Sequence, residues 1–108
     1  MDKSIEKGEK FIAGESVSYS VQSVISRQVL KNEKGNITLF AFDKGEGLSE
    51  HTAPFDAMVL LLDGKAEITI GGKPNALEAG EAILMPANIP HALKAIERFK
   101  MMLVMIRG

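Results

Sequence analysis

Most of the chemistry open to this chain rests on two residues, His51 and His91, its only histidines, 40 positions apart. Imidazole ligates metals, moves protons near neutral pH and hydrogen-bonds ligands, so a pair meeting in one cleft would mark a site. Cysteine is absent, which excludes disulfides, iron–sulfur clusters, thiolate zinc and a thiol nucleophile. The six methionines show no repeated spacing with a histidine and read as core filler rather than soft metal ligands. Gly45 and Gly47 read as turn residues, since no Gly-Lys-Ser/Thr follows to open a phosphate loop.

Only a fold that joins distant stretches would let the two rings act together. At 108 residues the chain is expected to form one domain, with 1–16 a polar N-terminal arm, weakly ordered over its first ten residues, and 17–108 the folded body. Apolar residues at 45% and charged residues at 25% are an ordinary globular mix, and a net charge of −1 offers no field for nucleic acid or an anionic bilayer. No run reaches the about 18 apolar residues of a membrane span, and the charged start lacks a signal-length apolar stretch, so a cytoplasmic protein is expected.

From Val17 onward, short apolar runs alternate with turn residues. Val24–Leu30 runs into the polar cluster 31–36, and Ile37–Phe42 into 43–47. Ala57–Leu62 and Lys65–Ile70 are divided by Asp63-Gly64 and closed by Gly71-Gly72. Asp-Gly and Gly-Gly predict tight hairpins, because primed turns need positive φ. Ile68 and Ile70 alternate with Glu67 and Thr69, the two-residue period of a half-buried strand. Roughly seven or eight such strands predict a sandwich or barrel. His91–Arg107 dissents: it follows Pro90, is rich in helix formers, and repeats apolar residues at Leu93, Ile96, Phe99 and Met102, the pattern of an amphipathic helix.

Gly45-x5-His51-x-Ala53-x3-Ala57-x6-Gly64 resembles the first motif of the cupin superfamily, which reads glycine, five residues, His-x-His, three or four residues, glutamate, six residues, glycine. Gly80-x5-Pro86-x-Asn88-x2-His91 resembles the second, with Asn88 for its glycine and Ala95 for its closing asparagine. Together the motifs span 45–95. The resemblance implies an all-β fold, the double-stranded β-helix (jelly-roll or cupin barrel), and makes 91–106 two strands around a turn at Glu97-Arg98 rather than a helix. In metal-binding cupins, the two histidines and glutamate of the first motif and the histidine of the second hold one divalent ion. Here His51 and His91 match two of those ligands, while Ala53 stands for the other histidine and Ala57 for the glutamate. Asn88 tolerates the left-handed geometry of the glycine it replaces.

Residues two apart on a strand share a face, so if His51, Ala53 and Ala57 look inward, Val59 and Leu61 follow, as do Leu93 and Ala95 from His91. The expected ligand pocket is apolar, lined by Ala53, Ala57, Val59 and Leu93, with both rings at one end and space where two ligands have become methyl groups. Three functions fit. The first is a small-molecule-binding cupin with a partial, two-histidine site for divalent iron, manganese, nickel or zinc. The second is a metal-dependent enzyme of dioxygenase or isomerase type, its third ligand coming from Asp56, water or substrate. The third is a metal-free, epimerase-like enzyme with a histidine base. Met58–Leu62 and Met101–Ile106 are apolar on both faces, which one small subunit can hardly cover, so a homodimer is expected.

Overall fold

The computed structural model describes residues 4–107. It contains seven strands: β1 (Val24–Asn32), β2 (Gly35–Phe42), β3 (Gly47–His51), β4 (Asp56–Ile70), β5 (Lys73–Glu78), β6 (Ala82–Met85) and β7 (His91–Ile106). They join in the order β1-β2-β7-β4-β5, with β3 on β7 and β6 on β4, and every pairing is antiparallel. The two longest strands, β4 and β7, run against each other from Asp56↔Ile106 to Ile70↔His91 and form the spine of a jelly-roll barrel. Among the described residues no helix is long and apolar enough to cross a membrane.

Two expectations fail on this spine. Asp63-Gly64 is not a hairpin turn, because β4 passes straight through it. Pairing with β7 continues on both sides, and its register shifts between Leu61 and Ala66. Gly64 takes a φ of 79°, and a side chain there would overlap the Arg98 carbonyl oxygen. The positive φ that Asp-Gly supplies thus builds a bulge rather than a turn. The bulge also resets the phase: Leu61 and Ala66, an odd number of positions apart, both face the core.

The second failure concerns His91–Ile106, which is one strand and neither a helix nor two strands about a turn. Ile96, Glu97 and Arg98 bow outward where the register jumps, Ala95 facing Ala66 while Phe99 faces Gly64. Pairing with β4, β2 and β3 satisfies the backbone along the strand and overrides helix propensity, which amounts only to tenths of a kcal/mol per residue, roughly. Gly71-Gly72, in contrast, makes the expected two-residue hairpin, with φ of 57° and 82° and Ile70 facing Lys73.

The core lies between the sheet's inner faces. Phe42 and Phe99 stack at 4.4 Å, and Val59, Leu61, Ile68 and Met101 are buried around them. A second cluster sits on the outer face, where Leu39 and Ala41 are covered by Val17, Tyr19, Ala13 and Ile5. The segment that brings those residues there is tied down by polar contacts. Lys100 Nζ donates to the Gly14 carbonyl at 2.6 Å, and Arg27 to that of Ser16 at 3.0 Å. The Tyr19 hydroxyl donates to Asp63 at 2.6 Å, and the Arg98 guanidinium lies 4.5 Å from the Tyr19 ring centre. Burial, and then the bond to Asp63, push that hydroxyl well above its usual pKa, so it stays a donor. Residues 1–3 of the expected arm lie outside the described residues.

Candidate functional site

His51 ends β3 and His91 begins β7, and the two are cross-strand partners. Neighbouring pairs explain how the rings come to share one side. Between Leu48↔Leu93 and His51↔His91, β3 carries one more residue than β7. Without that bulge Leu48 and His51, three apart, would face opposite ways; with it, both line the same cavity. His91 is held from the other side too, through its pairing with Ile70 and a bond from the Gly71 amide to the Pro90 carbonyl at 2.8 Å. Asn88 has a φ of 64°, the left-handed turn expected of it, and its amide donates to the Ala53 carbonyl at 2.8 Å.

The imidazole centres lie 4.3 Å apart, edge to face at 70°. Each Nδ1 meets a main-chain oxygen two residues back, His51 that of Ser49 at 2.7 Å and His91 that of Ile89 at 3.2 Å. A carbonyl can only accept, so both Nδ1 atoms carry hydrogen, and in the neutral rings both Nε2 atoms keep a lone pair. His91 is buried at 7% exposure, and no buried side-chain nitrogen or oxygen among the described residues lacks a partner. Its Nε2, bonded to no protein group, therefore opens onto the cavity. His51 is exposed and forms the rim.

The cavity measures about 60 Å³, and Ala53, Ala57 and Leu93 are in its lining. Val59 is not. It is wholly buried one inward step beyond Ala57, in contact with the core rather than the opening, because the cavity ends at that alanine. What the spacing failed to reveal is that Met85, Met101 and Met105 line the same space. The methionines read as filler had no sequence rhythm to betray them, since they come to the histidines through strand pairing.

Asp56, the expected source of a third ligand, likewise lies outside the cavity lining. Its carboxylate caps β6's far end, accepting from the Ala87 amide at 2.9 Å, and it is exposed and outside the cavity. No group of three or more histidines or acidic residues comes together among the described residues. Divalent ions such as iron, manganese, nickel or zinc usually take at least three protein donors, carboxylate often among them. Two neutral imidazoles in an apolar wall do not fit such an ion.

A jelly-roll barrel with paired histidines at the mouth of an apolar cavity defines the class of protein. The cupin-domain family pattern matches residues 38–107, and the chain belongs to that family. Among solved structures it is similar to a conserved protein of unknown function from Streptococcus pyogenes, with 37% identity, 99% of this chain and 94% of that one covered, and a TM-score of 0.91. It is also similar to a cupin 2 conserved barrel domain protein from Leptotrichia buccalis, with 38% identity over 87% of this chain and 46% of the other, at a TM-score of 0.85. A cupin superfamily protein from Desulfitobacterium hafniense aligns over 100% of this chain and 99% of its own at 25% identity, with a TM-score of 0.90. No functionally curated protein matches the chain.

Proposed function

We propose that the cavity binds a small organic molecule, gripped by His51 and His91. The carrying observation is the pair of rings at 4.3 Å, each tethered through Nδ1 to a main-chain oxygen, in the lining of an otherwise apolar cavity. Such a site suits a ligand that presents a hydroxyl or amine to the imidazoles and an apolar body to Leu93, Phe55 and Leu103. Size narrows the class. About 60 Å³ is far below the roughly 300 Å³ of a drug-sized pocket, so the ligand is small or enters by one end. The epimerase-like alternative has less support, because neither Nδ1 meets a carboxylate that would stabilise the protonated ring. The dioxygenase or isomerase alternative would have to draw its third ligand from water or substrate, since no third histidine or acidic residue joins the pair among the described residues.

A fragment screen by NMR, using short hydroxyl- and amine-bearing apolar compounds, tests this reading. Hits should shift the resonances of His51, His91 and Leu93, and His91→Ala should weaken them about tenfold or more, the equivalent of one lost buried hydrogen bond. Hits that map elsewhere, or that bind His91→Ala unchanged, would sink it.

We also propose that a second copy covers the outer face. Leu84, Met58, Val104, Ile37 and Leu30 are successive cross-strand neighbours from β6 to β1 and form an uncharged, outward-facing stripe. Leu84 is 73% exposed and Leu30 42%, beyond the reach of the segment that covers Leu39 and Ala41. A stripe without charge gives a charged partner nothing to pair with, whereas a two-fold copy lays apolar against apolar. Sedimentation equilibrium should show a dimer that Leu84→Lys with Leu30→Lys converts to a folded monomer. A monomeric parent chain at high concentration is the opposing result.

A further inference from the structure

The family's glutamate position offers a different chemistry here. Ala57 occupies it, and its two cross-strand partners are both methionines, Met85 on β6 and Met105 on β7. Direct partners have Cβ atoms about 4.5–5.5 Å apart on one face of a sheet. Two thioethers therefore flank the place where a carboxylate would stand, and both methionines line the cavity that His51 and His91 open onto. Ala53 and Ala57 leave the space between them empty of side-chain bulk. No residue of the lining carries an oxygen on its side chain.

We propose that this cavity is a soft-cation site in which His51, His91, Met85 and Met105 hold one Cu(I) ion. The donors are two imidazole nitrogens and two thioether sulfurs, and thioethers select Cu(I) among biological metals. Charge points the same way. Every donor is neutral and the wall is apolar, so nothing offsets the second charge of a divalent ion, while a monovalent ion loses much less hydration on entry. The backbone carbonyls of Ser49 and Ile89 already fix the tautomer that presents Nε2. Methionine has three rotatable bonds, so each sulfur can swing onto an ion at the centre without moving the strands. The proposal rests on the reading of the cavity as a binding site and names an ion that occupies it.

The test uses the purified full chain under anaerobic, reducing conditions, with Cu(I) supplied as its bicinchoninate complex. The chain is expected to withdraw one equivalent of Cu(I) from the chelator and to retain no zinc or manganese through desalting. X-ray absorption of the loaded protein should show both sulfur and nitrogen bound to copper. Met85→Leu with Met105→Leu keeps side-chain volume and hence the fold, which thermal melting verifies. That variant removes two of the four donors and should bind Cu(I) more than about 100-fold more weakly, beyond the roughly 10–100-fold cost of disturbing only the groups that orient a ligand. Copper left on the chelator, a methionine pair variant that binds as well as the parent, or zinc held as tightly as copper would each overturn the proposal. Hydroxyl-bearing fragments that still shift His51 and His91 in a chain refusing copper would leave the small-molecule reading standing and remove only this one.

Discussion

Replacing Phe99 with alanine is expected to destabilise the barrel by about 3–5 kcal/mol, the usual cost of emptying a buried aromatic position. Phe99 is wholly buried and stacks on Phe42 with ring centres 4.4 Å apart and planes within 9° of parallel, so the contact between rings is lost along with the buried area. Its place in β7 prevents the neighbours from closing the gap. Opposite it stands Gly64, whose backbone already lies so close that a Cβ there would come within 2.7 Å of the Phe99 Cα. The strands are in contact and have no side chain in reserve to fill the hole. Against a total stability of about 5–15 kcal/mol, the loss takes a large part of the whole. For a chain of this size it corresponds to a fall in Tm of very roughly 15–30 °C, which calorimetry would read. Ile96→Ala, three positions away on the exposed bow of the same strand, should cost less than about 1 kcal/mol. Equal losses at the two positions would mean that the strand is not bowed there and that the Phe42–Phe99 stack is not central.

The contrast between Ile96 and Phe99 shows which parts of this fold the sequence makes legible. Strand periodicity suffices for an all-β sandwich or barrel, whereas the jelly-roll topology, the meeting of His51 with His91 and the turn at Asn88 are legible only through the resemblance of the two motifs to those of a known family. What escapes is the set of bulges. Asp63-Gly64 has the chemistry of a hairpin turn, and nothing local says that β7 will continue to pair on both sides of it. The extra residue between Leu48 and His51 is equally silent, although it is what turns the ring into the cavity. Met85 and Met105 carry the same lesson for the site. Their relation to the histidines passes through Ala57 and exists only across strands, so no spacing along the chain records it. Asp56 errs in the other direction: near the glutamate position in sequence, it points to the Ala87 amide once β4 begins.

If two alanines are what turn this cavity away from divalent ions, restoring the family's side chains should reverse the preference. Ala53→His with Ala57→Glu would add an imidazole and a carboxylate to His51 and His91, and both positions line the cavity. Without metal the double variant should be less stable than the parent, because a carboxyl group placed between Met85 and Met105 loses its water and costs about 1–3 kcal/mol. With zinc or manganese at 100 times its Kd, binding adds about 2.7 kcal/mol to the folded state, which offsets most or all of that cost and raises Tm by roughly 10–20 °C above the metal-free variant. The parent chain should show neither effect. Ala57→Glu alone makes two histidines and a glutamate, a set that already holds catalytic zinc in other proteins, and should recover part of the gain. The same carboxylate stands where the thioethers would converge, so zinc retention should appear as Cu(I) retention declines. Metal analysis after desalting, paired with melting curves with and without added ion, checks each arm. A double variant that keeps no divalent ion would show that Ala53 and Ala57 are not the cause of the exclusion, and that the mouth of the barrel places His51 and His91 wrongly for any metal.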